Sequence, residues 1–324
     1  MSFQLTYLIF GLVILAALVL DLGLLSKRSA EISIKKAMYQ TLFWVSLAFA
    51  FFGFLWIEYP DPQHQAALEY ISAYLMEWSL SIDNIFVFIL IFSFFRIASD
   101  HVARALLWGI LMAIIFRVVF ITVGVALVAR FEWLLYVFGA FLMYTGVKIF
   151  TVKEDDEGFD PATNPVYKFL NRFLPIVHED VGGKLTIKRN GKRFFTNLFV
   201  VIVMLATTDI VFALDSIPAV FAIVNTKEST LRHLVIYTSN IFAVLGLRSL
   251  FFLLKGAVNK FAYLQQGIAI VLVFIGLKML VPLVLHDFHL PVTISLLVIV
   301  ICLAGSILYS VNATRRQARE NDEI

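Results

Sequence analysis

A chain of 324 residues that is 60% hydrophobic and 15% aromatic, with a mean hydropathy of +0.88, is too apolar for a soluble globular protein, whose apolar share is about 45–50%. Its formal net charge of +3 gives no reason to expect a nucleic-acid partner. Its single cysteine, Cys302, excludes an internal disulfide, a C-x-x-C redox pair and a thiolate metal cage.

The composition therefore predicts an all-α polytopic membrane helix bundle in a lipid bilayer. A span needs about 20 apolar residues. In chain order, nine segments meet that length, near 4–25, 38–58, 68–95, 103–128, 132–151, 195–224, 231–255, 261–285 and 291–312. The first lacks a charged n-region and a small-residue cleavage site, so it is expected to be an uncleaved span. The organisation read from these segments is two N-terminal spans (1–60), a first three-helix unit (66–151), an insert (152–194), a second three-helix unit (195–286), and a last span with its tail (287–324).

The connections alternate in charge. Lys27, Arg28, Lys35 and Lys36 fill the first, whereas Glu58 to Glu69 contains neither Lys nor Arg. Lys153 through Arg193 bring eight basic residues to the insert, and Arg315, Arg316 and Arg319 mark the tail. By the positive-inside rule the N-terminus is expected outside and the C-terminus in the cytoplasm, with Lys227 and Arg232 a mild dissent. Within the insert, Asn164-Pro165 opens a short amphipathic helix carrying Phe169, Leu170 and Phe173. Gly182-Gly183 and Asn190-Gly191 bracket a small hairpin. This is too little for an independent enzyme domain.

Two acidic motifs lie inside the apolar runs, where a carboxylate costs at least about 2.5 kcal/mol. The first runs from Glu77 to Asp83-Asn84 and the second from Asp209 to Asp215-Ser216, in each case with five residues between the acids. Asp209 and Asp215 follow Glu77 and Asp83 at an offset of 132; Arg248 follows Arg117 at 131, and Lys278 follows Lys148 at 130. Three landmarks in the same order predict that the third to fifth spans recur as the sixth to eighth. Because three is odd, the second copy enters from the opposite side, giving two inverted three-helix repeats with the acids near the midplane.

Residues six apart on a regular helix lie about 120° around and about 9 Å along the axis. Glu77 and Asp83 therefore cannot grip one ion together unless the helix is distorted. Pro218, which lacks an N–H and crowds the carbonyl of Leu214, is the expected source of distortion in the second copy.

The expected ligand set is hard oxygen: Glu77, Asp83, Asn84, Asp209, Asp215 and Ser216, with Thr208, Asn240, Arg117, Arg248 and Pro218 in support. Ser79, Ser81 and Ser239 are further oxygens. All-oxygen sets suit Mn²⁺, Ca²⁺ or Mg²⁺. The competing structural reading pairs the acids with Arg117 and Arg248 in salt bridges. Asp21, the run His178-Glu179-Asp180, and His286, Asp287 and His289 are weaker ion-binding candidates. Lys148 and Lys278 are expected to snorkel towards the span ends. The chain carries no Walker motif, and no glycine-flanked aspartate of the kind an intramembrane aspartyl protease uses, so an enzyme is not expected.

The strings E-W-S-L-S-I-D-N-I-F-V-F, D-I-V-F-A-L-D-S-I-P-A-V-F-A-I, S-N-I-F-A-V-L-G-L-R, V-F-I-G-L-K-M-L and K-R-N-G-K-R-F-F-T-N-L-F resemble the TerC family, specifically its Alx-type members, over essentially the whole chain. The resemblance implies a multi-pass protein of the bacterial inner membrane that exports manganese(II), with Ca²⁺ and Mg²⁺ left open by the ligand types and protons the natural counter-flow. Family members are also described as membrane redox modulators, as tellurite-resistance proteins, or as suppliers of metal to secreted enzymes. The family acids fall here at Glu77, Asp83, Asp209 and Asp215. One departure is Ala206, where many relatives carry glutamate three residues before the aspartate. The sequence does not fix the oligomeric state.

Overall fold

In hydrocarbon the backbone must satisfy its own N–H and C=O groups, and for an apolar run the helix does so within one segment. The computed structural model describes residues 3–23, 33–60, 64–131, 133–151, 164–177, 181–189, 191–255, 264–283 and 291–322. Five long helices come first: α1 (Phe3–Gly23), α2 (Ile34–Glu58), α3 (Gln65–Phe94), α4 (Ser99–Arg130) and α5 (Leu134–Thr151). The short α6 (Pro165–Phe173) and strands β1 (Ile176–Val177), β2 (Thr186–Arg189) and β3 (Lys192–Thr196) follow. Then come α7 (Asn197–Ile223), α8 (Ser229–Lys255), α9 (Leu264–Leu280) and α10 (Val292–Asp322).

Among the described residues, six helices are long and apolar enough to cross a membrane: α2, α4, α7, α8, α9 and α10. Shorter apolar stretches lie at Gln4–Val19 in α1 and Leu134–Ile149 in α5. The molecule is thus an all-α membrane protein with a small β element. The side chains of Asp21, Asp83 and Asp215 lie outside the described residues, as do His178-Glu179-Asp180 and His286, Asp287 and His289.

Helix ends follow from local chemistry. Asn164 caps α6 by accepting the Val166 N–H at 2.8 Å, with Pro165 in the first turn, where its missing N–H costs nothing. The turn from α3 to α4 is a Schellman motif: the Ile97 N–H donates to Phe92 O and the Arg96 N–H to Ser93 O, both at 3.2 Å. Arg96 takes the left-handed position, φ 49°, usually left to glycine. β2 and β3 form an antiparallel hairpin, and β1 joins the other edge of β3 in parallel, so the strand order is β1-β3-β2. This sheet docks on α4 through Arg104, whose Nη1 donates to Gly183 O at 3.0 Å.

α8 is the central helix. It packs on α1, α2, α3 and α4, and nearly all of its apolar length is inside the protein. Phe242 on α8 gathers Phe10, Phe51 and Tyr70 from α1, α2 and α3, with ring centroids between 5.4 and 6.4 Å. α3 also packs on α7, and α4 on α7. α7 runs unbroken through Pro218 to Ile223. The distortion expected there does not interrupt the helix: proline removes a single hydrogen bond, and the buried packing on both sides of it continues.

α5 and α9 touch backbone to backbone. A Cβ added to Gly276 would stand 2.6 Å from Gly139 O and 2.8 Å from Met143 N. One added to Gly146 would stand 2.8 Å from Ala269 O and 2.7 Å from Val273 Cγ2. Later residues of α5 face earlier residues of α9, so the two helices run antiparallel. Small residues give such close approach in membranes, where packing rather than hydrophobicity drives helix association. Gly276→Ala should therefore force the pair apart and lower stability by about 1–3 kcal/mol. Unfolding of the purified protein in detergent measures this, and an unchanged midpoint would contradict the packing described.

Candidate cation site

Arg117 sits near the middle of α4, Glu77 near the middle of α3, Asp209 near the middle of α7 and Asn240 near the middle of α8. The four side chains meet. Arg117 Nε donates to Asp209 Oδ2 at 3.0 Å and Nη2 donates to Asp209 Oδ1 at 2.9 Å, a two-pronged grip that matches guanidinium to carboxylate. Nη1 donates to Glu77 Oε1, and lies 3.4 Å from Asn240 Oδ1. Asn240 Nδ2 donates to Ile236 O at 3.0 Å, which turns its carbonyl oxygen towards the arginine.

Relative exposure is 2% for Arg117, 1% for Glu77 and 1% for Asp209, so all three charges are withdrawn from water. A guanidinium stays protonated in a protein. Two carboxylates against one cation leave this cluster one negative charge in excess. Glu77 Oε2 has no hydrogen-bond partner among the described residues, although a buried carboxylate oxygen ordinarily has one. Beside Asp209 lies a small, mainly apolar cavity of about 10 Å³, walled by Phe88, Leu106, Gly109, Ala113 and Leu205, at the lower limit for one water.

The expected ligands are thus placed as follows. Glu77 and Asp209 converge, on Arg117. Asn84, Thr208 and Ser216 are buried, and the Ser216 hydroxyl has no hydrogen-bond partner among the described residues. Ser79 and Ser239 donate back to their own helices, to Leu75 O and Ile236 O, which commits their protons but not their oxygen lone pairs. Ser81 is buried with its hydroxyl unpartnered among the described residues. Asp83 and Asp215 lie on the helical backbones of α3 and α7, one residue before Asn84 and Ser216. Arg248 is buried on α8. Ala206 is also buried, so no carboxylate occupies that position. Among the described residues no three His, Cys, Asp or Glu side chains come together.

By sequence Glu69 falls in the connection before the third span; the structure buries it completely on the first turns of α3. Its carboxylate accepts from the Asn225 and Thr226 N–H groups at 2.9 and 3.0 Å and from the Thr226 hydroxyl at 2.6 Å. Gln65 Nε2 completes the set at 2.7 Å. Glu69 therefore ties the start of α3 to the turn between α7 and α8. The available signal was its position: an acid already inside the apolar run of the third span.

An all-α, multi-pass membrane protein with a charge cluster deep inside its helices is the class these observations define. Residues 62–318 match the Integral membrane protein TerC family, and the chain belongs to that family. It is 41% identical over 304 residues to the uncharacterized membrane protein STKORF319 of Myxococcus xanthus, covering 93% of this chain and 90% of the relative. It is 38% identical over 296 residues to a Salmonella typhi protein provisionally named membrane-bound redox modulator Alx, covering 89% and 88%. The Escherichia coli K12 protein of the same name is 36% identical over 293 residues, again covering 89% and 88%. No solved structure matches the chain.

The Glu69 tie makes a local prediction. Glu69→Ala strands the buried N–H and hydroxyl of Thr226 and releases the part-buried N–H of Asn225, and should cost about 2–3 kcal/mol. Amide hydrogen exchange at Asn225 and Thr226 should accelerate with it; unchanged protection of those amides would show that the carboxylate does not hold the turn.

Proposed function

We propose that this protein is a secondary transporter that exports manganese(II) across the bacterial inner membrane. It uses a midplane acidic site in which carboxylates carry either metal or proton, and it acts as a carrier rather than an enzyme. The observation that carries the reading is the convergence of Glu77 from α3 and Asp209 from α7 at mid-helix depth, wholly buried and one negative charge in excess of Arg117. Such charge is expensive at that depth and is found where ions or protons move. The next acids along the two helices, Asp83 and Asp215, each precede an oxygen-bearing residue, Asn84 and Ser216. The hard-oxygen chemistry suits Mn²⁺, Ca²⁺ and Mg²⁺ alike; manganese follows from the family resemblance.

The helix pairing supports inverted repeats. Exchanging α3 with α7, α4 with α8 and α5 with α9 turns the α3–α8 contact into the α7–α4 contact and maps the α5–α9, α3–α7 and α4–α8 contacts onto themselves. At the 130-residue offset, Gly146 corresponds to Gly276, Gly139 to Ala269 and Met143 to Val273. Gly146 meets Ala269 and Val273, while Gly276 meets Gly139 and Met143. Reciprocity of that kind in an antiparallel pair is what a two-fold axis across the helices would give, the arrangement of inverted-repeat transporters. The charge alternation of the connections supports an outside N-terminus and a cytoplasmic C-terminus.

The relatives' name favours a second reading, a redox modulator. Electron transfer through protein thiols would have to use Cys302, the one cysteine. It is half-buried on α10, a helix that contributes nothing to the Arg117 cluster.

Metal movement in sealed vesicles with an imposed pH gradient tests the transport reading. Asp83→Asn and Asp215→Asn should each reduce manganese flux by about tenfold or more, while Cys302→Ser should leave it unchanged. Equal flux in wild type and both aspartate variants would reject the acidic site. Loss of flux in Cys302→Ser alone would favour the thiol.

A further inference from the structure

The Arg117 guanidinium stands between Glu77 and Asp209, where a bound cation would stand. We infer that Arg117 is a tethered counter-cation: it holds the two carboxylates when no ion is bound, and the transported ion binds by displacing it. This inference rests on the cation site proposed above and adds to it the residue with which the ion competes.

Geometry is the first ground. Both Asp209 oxygens and one Glu77 oxygen are taken by Arg117. A divalent ion bridging the acids draws on oxygens of those same two carboxylates. Charge is the second. A guanidinium and a divalent cation sharing one pair of carboxylates, away from water, repel each other strongly, so the two occupy the site in turn.

The third ground is that the cluster already holds what an exchange needs. Glu77 Oε2, buried and without a hydrogen-bond partner among the described residues, is an oxygen the incoming ion can take first. Asn240 Oδ1, at 3.4 Å from Nη1 and aimed by the amide's bond to Ile236 O, is a neutral acceptor towards which the guanidinium can move. α8 carries that acceptor, so displacement of the arginine shifts a contact from α3 and α7 to α8. Binding is thereby coupled to the packing between helices of the two proposed repeats.

A consequence for coupling follows. An emptied site with two unpaired buried carboxylates would be strongly unfavourable. Arg117 cancels one of the two charges, so at Glu77 and Asp209 the returning carrier needs one proton where it would otherwise need two.

The test is Mn²⁺ binding by the purified full-length protein in detergent. It is read as loss of the free-ion electron paramagnetic resonance signal, and separately as thermal stabilisation. Arg117→Met should bind Mn²⁺ about tenfold more tightly than wild type, having removed the competitor. Its thermal stability, lowered without metal, should recover on adding Mn²⁺. Arg117→Lys keeps a point charge but loses the planar fork, so its affinity should fall between the two; it carries the comparison if Arg117→Met does not fold. Equal or weaker binding in the Arg117 variants, with wild-type binding retained, overturns the inference and leaves the cation site standing. Absence of Mn²⁺ binding in wild type and variants alike overturns both.

Discussion

One buried guanidinium sets the terms for the centre of this molecule. Arg117 contacts acids from α3 and α7 and the amide of Asn240 from α8, while itself belonging to α4. Charges withdrawn from water on three helices must find each other or leave the membrane interior. That requirement fixes the rotation of each helix about its axis more tightly than apolar packing could, since a lipid-facing and a protein-facing leucine differ little in energy.

The two halves of the bundle are held by different physics. At α5 and α9 the contact is steric and short-ranged, glycine against backbone, and tolerates no added atom at Gly276 or Gly146. Around α3, α4, α7 and α8 the decisive contact is electrostatic and is carried by long side chains that can change partner. Glu69 supplies a third kind, a carboxylate hydrogen-bonded by neutral donors of the α7–α8 turn and Gln65. A rigid seam beside a polar centre is what the proposed carrier would need, since its helices would have to shift while the fold persists.

Much of the architecture was legible because the membrane simplifies the problem. Apolar runs of span length become helices for want of any other way to satisfy the backbone, and Asn190-Gly191 announced the turn between β2 and β3. The acidic motifs stood out because charge is rare in such runs. Other features were not legible. The competing reading pairs the acids with Arg117 and Arg248 without saying which acid meets which arginine, and Arg117 by itself contacts both Glu77 and Asp209. Five N–H donors on one planar group make that economy feasible, and no sequence spacing encodes it. Pro218 suggests a distorted helix; α7 stays helical through it, with buried packing on both sides of the missing hydrogen bond.

Composition, periodicity and charge placement by themselves determined an all-α membrane chain with acids and arginines deep in its apolar segments, since burial cost and helix length depend only on which residues follow one another. Tertiary structure alone decided which acid meets which base, that Glu69 faces inward to the α7–α8 turn, and that α5 and α9 touch at their glycines. Those outcomes depend on how helices far apart in the chain rotate and approach, and the energies that choose among rotations belong to pairs of side chains on different helices.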